Sequence, residues 1–159
     1  MTTASRLPSA AILLFGIAAA SCGPAAPQEV LTVDEVVPRI DALNGRTVSV
    51  AGYLPHCSGY TCILYRTRVE AEEVDRGIAA LRAGEPLNIP DFPALSIGIG
   101  PNWDFDRKAA PFEGRYVVIT GTISNECRFR GKPACMDRGP DLKPTAIRAG
   151  SPTGHRTGP

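Results

Sequence analysis

The sequence predicts a mainly β domain with short helices, curled into a small barrel, and three observations carry that prediction. Gly45-Arg46-Thr47-Val48-Ser49-Val50-Ala51-Gly52-Tyr53-Leu54 and Gly114-Arg115-Tyr116-Val117-Val118-Ile119-Thr120-Gly121-Thr122-Ile123 spell one pattern, Gly-Arg-x-Val-x-(Val/Ile)-x-Gly-x-(Leu/Ile). Each copy alternates with period two, so Val48, Val50 and Leu54 share one strand face, as do Val117, Ile119 and Ile123. Gly52 and Gly121 stand on that same apolar face, where a missing side chain permits a bulge or a sharp coil and lets a short sheet curl. The copies lie 69 residues apart, which is no solenoid period. They read as two equivalent strands of one barrel.

The other elements follow in order. Thr32-Val33-Asp34-Glu35 is a capping-box pattern that opens a short helix toward Leu43, which Pro38 bends or ends early. After the first repeat strand and a turn over 55–61, Cys62 to Arg66 forms a second strand. Over 69–82, Val74, Ile78 and Leu81 recur at i, i+4 and i+7, which marks an amphipathic helix stopped by Gly84 and Pro86. Leu95, Ile97 and Ile99 alternate with Ser96 and Gly98 as a third strand. A link over 101–112 carries a short helix, then come the second repeat strand, a cysteine-bounded loop and a last strand near 143–148. Residues 149–159, rich in Gly, Pro, Ser and Thr, read as a disordered tail.

That order resembles an OB-fold, a five-stranded Greek-key barrel with a helix between its third and fourth strands; the helix over 69–82 is an addition to it. An SH3-like small barrel is the competing fold. The chain also resembles a group of small bacterial envelope proteins of unknown function. The likeness rests on the Gly45–Tyr53 strand, on Cys62-Ile63-Leu64-Tyr65, and on the closing Gly114–Gly121 strand, and it spans 32–148. Its motifs are structural, so it implies a fold and a location and no activity.

The N-terminus speaks for export. Arg6 precedes about eleven apolar residues from Ala10 to Ala20, too short a run for a membrane span of roughly twenty. Ala19-Ala20-Ser21 before Cys22 resembles the lipobox of bacterial lipoproteins, in which the Cys is acylated and becomes the mature N-terminus. Ala19 stands where that motif prefers Leu, which keeps ordinary secretion open. The expected organisation is a signal peptide over 1–21, a lipidated Cys22 and tether over 22–31, the domain over 32–148 and the tail. Acyl chains on Cys22 would hold the protein at a membrane facing the periplasm. Gly23 in place of Asp favours the outer membrane in a Gram-negative host.

Composition narrows the function. A hydrophobic share of 43% with 21% charged residues describes a globular chain. Seventeen basic against sixteen acidic residues argue against a nucleic-acid binder. Beyond Cys22, four cysteines remain, and in an exported chain an even set implies disulfides, with three possible connectivities. The local pairs Cys57–Cys62 and Cys127–Cys135 are the favoured ones; the alternative is a metal-binding or thiol-redox protein using all four, with His56 nearby. The spacing fits zinc poorly, because the second pair is wider than usual, and Cys-x-x-Cys is absent.

In an OB-fold, the loops between strands 1 and 2 and between strands 4 and 5 flank the ligand face, and here both are cysteine-bounded. The second carries Arg128, Phe129, Arg130 and Lys132, cations around one aromatic that suit an anion or an acidic protein partner. Trp103-Asp104-Phe105-Asp106 reads as an aromatic pair packing the barrel end rather than as a calcium site. No catalytic motif occurs, His56 could serve a nucleophile only if Cys57 stayed reduced, and neither cofactor nor metal is expected. The sequence thus predicts a non-catalytic, envelope-anchored binding or assembly module.

Overall fold

The computed structural model describes residues 29–85, 95–126, 128–129, 132–133 and 141–152. The expected signal peptide and Cys22 lie outside the described residues. The elements in chain order are β1 (Val30–Thr32), α1 (Val33–Val36), a 3₁₀ turn (Val37–Arg39), α2 (Ile40–Leu43), β2 (Thr47–Leu54), β3 (Ile63–Tyr65) and α3 (Arg68–Arg82). They continue with β4 (Ser96–Gly98), α4 (Trp103–Ala109), β5 (Arg115–Ile123), β6 (Arg128–Phe129), β7 (Lys132–Pro133) and β8 (Leu142–Ala149). The fold is mainly antiparallel sheet with short helices. No helix among the described residues is long and apolar enough to cross a membrane.

The two repeat strands are β2 and β5, and they pair with each other. Val48 lies opposite Gly121, Val50 opposite Ile119 and Gly52 opposite Val117, so a local two-fold axis passes between Val50 and Ile119. The apolar face read from the alternation is the core face: Val50, Leu54, Val117 and Ile119 are fully buried. Each repeat opens on a glycine at positive φ, Gly45 at 75° and Gly114 at 70°, a region that costs other residues roughly 1–2 kcal/mol. The two inner glycines do different things. Opposite Gly121 the β5–β8 register shifts, and the residue passed over is Thr145 on β8, so the irregularity lies in the partner strand and not in the repeat strand itself. At Gly52 the strand stays regular, and the missing side chain makes room for the Tyr65 carbonyl and the Leu64 and Val33 side chains.

The main sheet has six strands, in the order β4-β3-β2-β5-β8, with β1 added to β2 in parallel. One edge of β2 is taken throughout by β5; the other is taken by β1 at residues 49–51 and then by β3 at Tyr53. The sheet is not closed into the expected barrel: among the described residues its outermost strands, β4 and β8, meet at one parallel bridge, Ile99 with Leu142, and not along a continuous ladder. Three hydrogen bonds hold that seam: Gly100 N–H to the Leu142 carbonyl (2.9 Å), Asp141 N–H to the Gly98 carbonyl (3.0 Å), and Gly98 N–H to Asp141 Oδ2 (3.0 Å).

Boundaries differ from expectation at both ends. β1 occupies residues assigned to the tether, because Val30-Leu31-Thr32 finds an open edge on β2 and buries Leu31. At the other end Ala149 belongs to β8, and Gly150 N–H still donates to the Tyr116 carbonyl (2.9 Å). Pro38 does interrupt the first helix, by way of the 3₁₀ turn, and Val33, Val36, Ile40 and Leu43 are buried along one stripe.

The largest departure is α3. Its start is well specified: Thr67 Oγ1 accepts from Glu70 N–H (3.2 Å), and Thr67 N–H donates back to Glu70 Oε2 (3.1 Å). The expected stripe reaches the body of the protein only in its first part. Ala71 is buried and Val74 half-buried against Tyr53, Tyr65 and Tyr116 on the sheet's outer face. Ile78 and Leu81 remain 41% and 50% exposed.

Candidate functional site

The candidate site is the rim where the sheet's outermost strands meet. Its first component is the loop after β2, residues 55–62, in which Cys57 and Cys62 form the expected disulfide and a 3₁₀ turn spans Gly59–Thr61. Both cysteines are buried, so the bond closes the base of the loop and leaves its outer residues free to face solvent. Two carboxylates from the 103–113 segment hold the loop in place. Glu113 Oε1 accepts from Cys57 N–H (3.0 Å), and Asp106 Oδ2 accepts from Gly59 N–H (2.8 Å). Cys57 Sγ lies 3.7 Å from Asp106 Oδ1, a contact only, because a disulfide sulfur carries no proton. His56 is exposed, with Nδ1 3.3 Å from Glu113 Oε1; beside it stands a bonded sulfur in place of a thiol.

Chain-entropy arithmetic for so short a loop gives about 2 kcal/mol of stabilisation. Replacing both Cys57 and Cys62 by Ser should therefore lower the unfolding free energy by about 2 kcal/mol in urea titration. The Glu113 and Asp106 bonds keep the remaining loop near its position.

The second component is α4 and its approach. Asn102 caps the helix, its Oδ1 accepting from Asp104 N–H (3.0 Å) and Phe105 N–H (3.2 Å). Phe105 and Ala109, four residues apart, are buried and fix the inward face of α4. Trp103 is consequently turned outward and is 79% exposed. The expected aromatic pair therefore splits: Phe105 packs the interior, and Trp103 stands in solvent. Asp104 pairs with Arg107 on the surface, while Asp106 is committed to the loop.

The third component is the loop between β5 and β8. Ser124 N–H and Asp141 O close its base at 2.9 Å, and Asn125 ties it to Asn44 and Asp41 near α2. β6 and β7 pair within it, Arg128 opposite Pro133 and Phe129 opposite Lys132. This gives Arg128, Phe129 and Lys132 their backbone places in a small hairpin; Arg130, Cys127 and Cys135 lie outside the described residues, and with them the expected Cys127–Cys135 pairing.

The two cysteine-bounded loops leave opposite ends of the β2–β5 ladder, roughly 23 Å apart at about 3.3 Å per residue. The curl of the sheet shortens the path. Cys62 O accepts from Ile99 N–H (2.9 Å), and Ile99 bridges to Leu142, so the base of the second loop comes within two strand spacings, about 10 Å, of Cys62. Gly100, Pro101, Asn102 and Trp103 continue from that seam. The rim thus carries a stapled loop, an outward tryptophan and the root of a cationic hairpin.

Comparison with family models, curated proteins and solved structures finds no match. Among the described residues, no group of three or more His, Cys, Asp or Glu side chains is placed to hold a metal ion. Sequence reasoning missed the exposure of Trp103, although the signal was present. Phe105 and Ala109 define the buried side of a short helix, and a residue two positions before Phe105 falls roughly 200° around the axis from it.

Proposed function

We propose that this protein is an envelope-anchored, non-catalytic binding module with an OB-like domain, and that its rim engages an acidic protein partner. Strand order supports the architecture. Counting β2, β3, β4, β5 and β8 as first to fifth, the fourth strand lies beside the first, which is the spatial order of a Greek key. The fifth meets the third in parallel at Ile99 and Leu142. α4 and the turn at Ala110–Phe112 fall between the third and fourth strands, where an OB-fold carries its helix, and this favours it over an SH3-like barrel. The anchor rests on the leader and on the lipobox-like approach to Cys22.

One observation carries the binding role: Trp103, 79% exposed on a helix that Phe105 holds rigidly in place. Tryptophan is enriched where partners bind, because it buries a large area for little loss of side-chain freedom. Arg128, Arg130 and Lys132 add cationic donors suited to carboxylates on the partner.

The test is retention of envelope proteins on the immobilised protein, compared with Trp103→Ala and with a triple variant, Arg128→Ala, Phe129→Ala and Arg130→Ala. Each variant should lose retention of the same acidic partner, and Trp103→Ala should keep the parent Tm because so little of the side chain is buried. Retention unchanged in both variants would remove this reading.

A further inference from the structure

We infer that α3 is a self-association surface, on which a second copy of this chain docks its own α3 in antiparallel orientation. The inference uses a different surface from the rim and stands independently of it. The first half of α3 is seated on Tyr53, Tyr65 and Tyr116; the second half presents Ile78 and Leu81 to solvent, 41% and 50% exposed. Large aliphatic side chains side by side on a helix gain by burial against an apolar partner.

The charges say which partner and which direction. Asp75, Ile78 and Arg82 are spaced three and four residues apart and so share one face. Several neighbouring charges are satisfied within the chain: Arg66 pairs with Glu70, Arg68 with Glu72, and Arg76 Nε donates to the Glu72 carbonyl (3.3 Å). Glu72 also holds the Arg68 guanidinium more firmly protonated than usual, through a hydrogen bond and its charge. Asp75 and Arg82 make no ion pair among the described residues. Ile78 lies midway between them. A two-fold axis beside Ile78 sets each Asp75 against the other copy's Arg82, giving two reciprocal pairs with the aliphatic side chains between them. A parallel pairing would set Asp75 against Asp75 and Arg82 against Arg82, and repulsion disfavours it. The second copy is therefore the occupant whose charge pattern complements this face, in the antiparallel orientation only.

Contact through one helix buries less than the roughly 1,600 Å² of a standard interface, so the dimer is weak and dissociates on dilution. Sedimentation equilibrium over a concentration series tests it on the full chain. Ile78→Asp should abolish the dimer, and Asp75→Arg or Arg82→Asp alone should weaken it about tenfold by opposing like charges. An equimolar mixture of the Asp75→Arg and Arg82→Asp proteins should associate about as well as the parent, since each cation then faces a carboxylate on both sides of the axis. These exposed substitutions should leave the circular dichroism spectrum unchanged. A monomer at every concentration would overturn the proposal, and with Tm lowered by Ile78→Asp would assign the stripe to packing within the chain. A dimer indifferent to Ile78→Asp, or a mixture that associates no better than either variant alone, would overturn it equally.

Discussion

Gly121→Ala should abolish cooperative folding, read as loss of a sigmoidal urea transition. A Cβ at that position would stand 2.3 Å from the Lys143 carbonyl oxygen, 2.9 Å from its carbon and 2.9 Å from Pro144 Cα. All three are backbone atoms of β8, so no rotamer change relieves the clash. The strand itself has to retreat, at the point where the β5–β8 register already shifts. Retreat there breaks hydrogen bonds on the strand that also forms the seam with β4, and a cost above roughly 4 kcal/mol is expected, a large share of a small domain's stability. Gly52→Ala should cost less. Its Cβ would meet one backbone atom, Tyr65 O at 2.6 Å, and two side chains, Leu64 and Val33, that can partly yield. Gly45→Ala meets nothing within 4 Å and should lose only the conformational term of about 1–2 kcal/mol. An order other than Gly121, Gly52, Gly45 in measured loss would contradict the close approaches described above.

Phe105→Ala should lower stability by about 3–5 kcal/mol, the usual cost of emptying a large aromatic site in a core. Phe105 is fully enclosed and belongs to the main core cluster, so little neighbouring structure can collapse into the space. The substitution should also act at a distance. α4 carries Asp106, whose carboxylate receives Gly59 N–H, so a loosened helix releases the disulfide loop from one of the two carboxylates that hold it. Amide exchange at Gly59 should accelerate in Phe105→Ala beyond what global unfolding accounts for. Asp106→Asn should reproduce part of that acceleration while retaining most of the stability. If Gly59 exchanged at the parent rate in Phe105→Ala, the helix and the loop would be mechanically independent.

Much of the fold was legible because its signals are local and redundant. The repeat shows its core face through alternation, and the same residues are buried in both copies. The capping box at Thr32 announced one helix start from a four-residue pattern, and the spacing of Val74, Ile78 and Leu81 announced α3, whose own capping box at Thr67 emerged with the structure. The Cys57–Cys62 bond was expected from proximity in sequence, together with the export that the leader suggests. Other features depend on what arrives from elsewhere in the chain. Periodicity told which side of α3 is apolar, yet whether that side meets a partner is decided by the sheet, which reaches Ala71 and Val74 and stops short of Ile78. β1 is a three-residue parallel pairing held by backbone bonds, and its side chains carry almost no pattern of their own. For the rim, sequence supplied the loops and the cations, while the seam that brings them toward each other is a product of long-range curl.

The pairing of the repeat with itself also bears on how the chain finds its native connection. Two copies of one motif that face each other across a dyad are interchangeable templates: by alternation alone, β2 of one molecule accepts β5 of its own chain and a stray β2 almost equally. The copies differ at the inner glycine. At Gly121 all the near neighbours are backbone atoms of β8, at Gly52 they are one carbonyl and two side chains, and of the two positions only Gly121 coincides with a shift of the ladder. β8 pairs with β5 and not with β2, so the last strand reads a difference between the two copies that alternation does not carry.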